Sequence, residues 1–297
     1  MSKYVIFTDT ASDIPKEYRE KYGIEYVKMS YNYDEKNYPA DLDWEVHGSP
    51  KGFYDVMRNG TRIKTAQVSD NEYKTNFEKW LKDGYDILYI ACSSAISASI
   101  NGAIRVRNEL DTLYPDRKII IIDSLRGCGS IFFMSMEVSK LKANGATIEE
   151  AEKWVLDNRM KVHQLGTVAD LKYLKQAGRV SATSAFFGGL FHVKPIIISD
   201  AKGQNFAIEK VKGRKQSLDR LISIFKSEYV PDTYPTVIIS NADCEEDASY
   251  LKEQVLNFGV KEENIIISTI GPATGSSVGP GMISLYYYGP EVTVNKE

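Results

Sequence analysis

The sequence predicts an α/β protein of two domains: an N-terminal α/β/α domain on a parallel sheet (1–160) and a C-terminal α/β domain on a mixed sheet (161–297). Three observations carry this. The length of 297 residues is enough for two mid-sized domains. Up to about residue 160, short β-branched runs alternate with helical patterns, the rhythm of parallel strands covered by helices. Beyond it the rhythm changes, and KPIIIS and NFAIEKV flank DAKG, a hairpin-like turn that joins antiparallel neighbours.

The elements follow in order. YVIFT (Tyr4–Thr8) is the first strand, and SDIPKEYREKYG a helix with Ser12 or Asp13 as cap and Pro15 in the first turn. IEYVKMSYNY alternates like one half-buried strand. GSPKGFYDVMRNG has a cap serine, an early proline and a closing glycine, hence a short helix. SDNEYKTNFEKWLKDG opens with a capping box, Ser69 to Glu72. DILYIAC (strand), SINGAIRVRNELDTLY (helix) and KIIIID (strand) come next. GSIFFMSMEVSKLKANG and TIEEAEKWVLDNRM are helices, the second with a capping box from Thr147 to Glu150.

In the second half, LGTVADLKYLKQAG is a strand running into a short helix, and VSATSAFFGGLFH an apolar helix. After the hairpin come a helix around Ser217–Lys226, the strand TVIISNA, a helix from Glu245 to Phe258, and the strands NIIIST and ISLYYY.

Composition excludes several classes. The net charge is −3 with no Lys/Arg block, so nothing draws the chain to nucleic acid or an anionic membrane. Cys92, Cys128 and Cys244 show neither C-x-x-C nor zinc spacing, so no metal site or disulfide framework is expected. Three scattered histidines, His47, His163 and His192, point the same way. The N-terminus lacks a signal-peptide run and no segment is long enough to span a bilayer. The expected location is the cytoplasm, which suits free thiols.

GSSVG (Gly275–Gly279) fits the G-x-S-x-G nucleophile elbow. An elbow needs a helix directly after the serine and a histidine later in the chain. Here V-G-P-G follows, which disfavours a helix, and no histidine lies beyond Ser277. A phosphate loop is no better supported, because no Lys completes G-x-x-x-x-G-K-[ST]. A tight loop with several positive φ angles is the plainer reading.

Other hydroxyl clusters occupy equivalent places. TDTASD follows the first strand, KTAQVSD precedes the Ser69-capped helix, and SSAISAS puts Ser93, Ser94, Ser97 and Ser99 after DILYIAC. Strand ends of a parallel sheet line one crevice, and hydroxyls with helix N-terminal amides there make an anion receptor without Lys or Arg. Capping accounts for Ser69. Thr65 and Ser97 are not needed as first caps, which leaves capping and ligand binding both open.

TDTASD, KTAQVS, SSAISASINGA, DLKYLKQAGRVS, VKPIII, EKVKGRK and IGPATGSSVGPG, in that order from residue 8 to 281, resemble the DegV family. The resemblance implies a non-enzymatic protein holding one long-chain (C16–C18) fatty acid, such as palmitate or stearate, between its two domains. It also implies a possible partner, a fatty-acid kinase that some members serve. It carries the carboxylate grip to Thr65 and Ser97, with Ser276, Ser277, Ser94 and Gly275 near the head group. Two arginines carry over as partner-docking residues, Arg179 and Arg214. Kinase-partnered members often read G-T-H-T-G-P-G where this chain has G-S-S-V-G-P-G, so Ser277 stands for a histidine. A serine donates a hydrogen bond but carries no charge, which puts the kinase role, not the binding, in question.

The chemistry of such a ligand asks for a dry channel. Phe187 and Phe191, beside Gly188 and Gly189, are the candidate tail contacts. The competing reading is an enzyme acting on a small acyl or phosphorylated substrate in the same inter-domain cleft. The motifs show no spaced acid–base pair to support it.

Overall fold

The computed structural model describes residues 3–181 and 193–295. The chain opens with β1 (Tyr4–Asp9), α1 (Lys16–Tyr22), β2 (Ile24–Val27), β3 (Ser30–Tyr33), β4 (Lys36–Pro39), α2 (Pro50–Arg58) and β5 (Lys64–Ala66). It continues through α3 (Asp70–Lys82), β6 (Asp86–Ala91), α4 (Ser99–Leu113), β7 (Ile119–Asp123), α5 (Gly129–Ala143) and α6 (Ile148–Asn158). Then come β8 (Val162–Thr167), α7 (Leu171–Ala177), β9 (Val180–Ser181), β10 (Val193–Ser199), β11 (Asn205–Lys212) and α8 (Arg214–Glu228). The last elements are β12 (Val237–Asn241), α9 (Glu245–Asn257), β13 (Ile265–Thr269), α10 (Pro272–Val278) and β14 (Ile283–Tyr288).

The described strands form three sheets. The first is parallel, in the order β2-β1-β6-β7. Every residue of β1 and β6 is buried, as an unbroken apolar run requires when helices cover both faces. The second is mixed, in the order β13-β12-β14-β8-β10-β11-β9. A small antiparallel sheet, β4-β3-β5, stands apart from both.

Helix α5 joins the two large sheets. It is apolar on all sides, and Gly129 to Ser139 are buried without exception, the pattern of a helix with no solvent face. It packs against β1, β2 and β6 of one sheet and β8, β12 and β14 of the other. Contact at its first residue is so close that a Cβ on Gly129 would lie 2.3 Å from the Tyr286 ring.

Four expectations change. IEYVKMSYNY breaks at Lys28–Met29 into β2 and β3, which belong to different sheets. The Thr10 hydroxyl sits at the break, donating to Val27 O and accepting Met29 N–H at 3.1 Å. Ser12 and Asp13 do not cap α1; both lie in a 3-10 turn capped by Asp9, and Pro15 precedes α1 instead. Ser69 accepts Glu72 N–H at 3.1 Å, but the Glu72 carboxylate turns to Lys28 N–H, so the box is half formed. The loop expected around GSSVG is the helix α10; within it and its exit, positive φ occurs at Gly279 and Gly281 alone. The helix expected at VSATSAFFGGLFH, with Phe187 and Phe191, falls largely outside the described residues.

Candidate functional site

A cavity of about 400 Å³ opens where the end of the parallel sheet, the small sheet, α7 and α10 meet. That lies within the roughly 300–1,000 Å³ of small-molecule sites. Met29, Ile96, Leu174, Val180 and Val278 give it apolar walls. Four hydroxyl residues from three separate elements line it as well: Thr65 on β5, Ser97 before α4, and Thr274 and Ser277 on α10.

Each hydroxyl is placed by its neighbours. Thr65 stands opposite Tyr31 in the small sheet. Ser97 is tied to the start of α4, its Oγ 3.0 Å from Ser99 Oγ and accepting Ser99 N–H. Ser277 rides on α10, whose start is fastened by a residue from the other end of the sequence: Gly271 N–H donates to Asp13 Oδ1 at 2.8 Å. Tyr54 OH donates to Ile270 O at 2.7 Å. Gly275 lets α10 come down onto Tyr54, since a Cβ there would be 2.5 Å from the Tyr54 hydroxyl.

A second, polar recess of about 250 Å³ adjoins the cavity. Thr65, Ser277 and Arg179 line both, while Arg62, Lys64 and Gln176 line the recess alone. Two of the cavity's hydroxyl residues, Thr65 and Ser277, therefore border the charged recess, while Ser97 lines the cavity alone.

The remaining sequence candidates separate from this group. Ser276 is buried and donates to Pro272 O at 2.6 Å, a bond inside its own helix; it touches the recess but not the cavity. Ser94 is exposed, and its backbone N–H goes to Asp123. Gly275 packs on Tyr54 rather than lining the cavity. Arg179 is exposed at the recess, with Nη1 on Ala177 O. Arg214 is not an exposed cation: Nε and Nη2 hold Asp247 Oδ2 at 3.0 and 2.6 Å, and Nη2 also donates to Gly281 O at 2.7 Å. Phe187 and Phe191 lie outside the described residues.

Behind the cavity floor, Cys92 and Cys128 cover two buried carboxyls. Asp9 accepts from Ala11 N–H, Cys92 N–H and Tyr89 OH. Burial raises the Asp9 pKa and pushes Asp13 up to about 8. Burial also pushes both thiols well above their ordinary value, which keeps them neutral and poorly nucleophilic. Neither His47, packed among Tyr31, Tyr33 and Phe53, nor His163, on Glu228 and Pro290 O, lines the cavity.

Sequence reasoning missed Gln164, Asn205, Cys128 and Thr274, all of them lining residues. Thr274 lay within a quoted motif, three residues before Ser277 on one helix face. Gln164 sits beside another polar residue, His163, in β8 and just ahead of the quoted LGTVADLKYLKQAG, so nothing local marked it or Asn205. Among the described residues no helix is long and apolar enough to cross a membrane, and no cluster of His, Cys, Asp and Glu has the makings of a metal site.

Comparison with known proteins agrees over nearly the full length. A family model described as an uncharacterised protein of the DegV family matches residues 3–289. A DegV domain-containing protein of Clostridium perfringens is 35% identical over 290 residues, covering 97% of this chain and 98% of that one. The crystal structure of DegV from Bacillus subtilis, described as a fatty acid binding protein, superposes with a TM-score of 0.80 at 25% identity, covering 98% of this chain and 100% of that one. A stearic acid-binding protein of Eubacterium ventriosum gives a TM-score of 0.83 at 23% identity, over 95% and 97% of the two chains. With the fold, the motif order and the family model in agreement, the chain belongs to the DegV family.

Proposed function

We propose that this protein is a non-enzymatic carrier of one long-chain fatty acid, C16–C18. The acid sits between an N-terminal domain (1–160) and a C-terminal domain (161–297). The observation that carries the reading is that Thr65, Ser97 and Ser277 line one apolar cavity, two of them, Thr65 and Ser277, where it adjoins a charged recess. Hydroxyl hydrogens there orient a carboxylate without burying a counter-charge, and the solved relatives described as fatty-acid and stearic-acid binders support the choice of ligand.

Magnitudes assign the roles. Burying each CH₂ contributes about 0.8 kcal/mol, so a sixteen-carbon tail supplies at most roughly 12 kcal/mol. One hydrogen bond to a charged group adds about 1.5–3 kcal/mol. Affinity therefore comes from the tail and orientation from the hydroxyls. The carboxylate at the recess faces Arg179 and solvent, an arrangement that supports presentation of the head group to a kinase partner. Ser277 in place of a histidine leaves that step without a charged residue at this position.

The test is mass spectrometry of the organic extract of freshly purified protein, with uptake of added palmitate and stearate. A stoichiometric C16–C18 acid is expected. An empty extract together with no uptake of either acid would remove the carrier reading and return the cleft to a small-substrate enzyme.

A further inference from the structure

The cavity has a second polar constellation, remote in sequence from the hydroxyls: the amides of Gln164 and Asn205, both lining it. Their orientations follow from one fixed group. The backbone N–H of Gly127 can only donate, and it meets Gln164 Oε1 at 3.2 Å. The other end of Gln164 is then Nε2, which donates to Asn205 Oδ1 at 3.0 Å. Reversing either amide would set two donors against each other. The uncommitted end of Asn205 is thus its Nδ2, a two-hydrogen donor with no protein acceptor among the described residues.

An unsubstituted alkyl chain offers this donor nothing, and covering it with methylenes would cost its hydration without return. Building on the carrier reading above, we infer that Asn205 is a specificity-determining residue that selects acyl chains bearing an additional oxygen, a hydroxyl or keto group, which accepts from Nδ2. Gln164 acts through it as a positioning residue, holding Oδ1 and so aiming the donor. The hydroxyl trio fixes the carboxylate, and the amide reads the chain at a set distance from it.

The experiment measures dissociation constants of hexadecanoic acid and a panel of its hydroxylated isomers, differing in hydroxyl position, for the wild type and Asn205→Leu. Near-UV circular dichroism checks the fold, and Asn205→Ala serves if the leucine variant does not fold. The expected result is at least one isomer whose affinity relative to hexadecanoic acid drops about tenfold in the variant. An unchanged ratio of hydroxylated to plain acid for every isomer would overturn the inference and leave the carrier reading intact. Failure of the wild type to bind any acid in the panel would remove both. Binding of hydroxylated acids alone would uphold the inference and narrow the cargo.

Discussion

Asp13 Oδ1 accepts the backbone N–H of Gly271 at 2.8 Å across 258 residues of sequence. The bond ties the turn after the first parallel strand to the start of the helix that carries Ser277. Asp13 itself holds left-handed backbone, φ 54°, a conformation Asp tolerates better than most residues. Its Oδ2 is buried and meets no oxygen or nitrogen donor among the described residues; the carboxyl lies among Asp9, Tyr54, Tyr286 and the Cys128 thiol.

That environment makes stability depend on pH. Burial pushes the Asp13 carboxyl up to about 8, against about 3.9 for an unfolded chain. Between those values the folded chain keeps a proton that the unfolded chain has lost. Stability therefore falls as pH rises from about 4 to about 8, and is insensitive to this group below that window. Asp9 shifts in the same direction. Asp13→Asn mimics the protonated carboxyl and should flatten the slope by up to about 1.4 kcal/mol per pH unit. Urea unfolding at several pH values checks this; parallel slopes for variant and wild type would refute it.

Removing one hydroxyl at the head-group end should weaken binding modestly. Thr65→Val or Ser97→Ala forfeits one charge-assisted bond, about ten- to 150-fold in affinity. Titration with palmitate at fixed ionic strength is the measurement. A loss beyond a thousandfold from either single change would show that the head group, not the tail, sets affinity.

Filling the cavity should act more strongly than either. Ala98 is exposed yet lines the cavity, so Ala98→Trp inserts bulk with little expected cost to the fold. Palmitate uptake should be lost while the thermal midpoint stays close to that of the wild type. Retained stoichiometric uptake would place the tail elsewhere.

The legible part of this fold was the part with one dominant signal. β1 and β6 are buried on both faces, and an apolar run bounded by turn residues says so. Position at strand ends marked Thr65 and Ser97 as open to ligand binding, and the resemblance to the DegV family carried them, with Ser277, to the head group; all three line the one cavity. Helix α10 was not. Its sequence PATGSSV has poor intrinsic propensity, and its helical form rests on tertiary supports, the Asp13 bond and the Tyr54 contact. The break in IEYVKMSYNY depends on a hydroxyl nineteen residues earlier, at Thr10. Gln164 and Asn205, 41 residues apart, meet only through sheet pairing.

Arg214 supplies the last distinction, between a structural arginine and a docking one. Two of its nitrogens hold Asp247 and one also holds Gly281 O, at the turn that leaves α10. Half-buried on both sides, the pair is shielded from water more than a surface ion pair is. Arg214→Ala leaves the Asp247 carboxylate and the carbonyl without their donor, at a cost of about 1–3 kcal/mol in stability. Arg179 is exposed and, among the described residues, donates to one group, the carbonyl two residues before it. Arg179→Ala should therefore move stability by no more than about 0.5 kcal/mol, its effect falling on the head group and on a partner met at the recess. Chemical unfolding of both variants separates the roles. Equal stabilities would return Arg214 to the partner-docking role that the family resemblance implied.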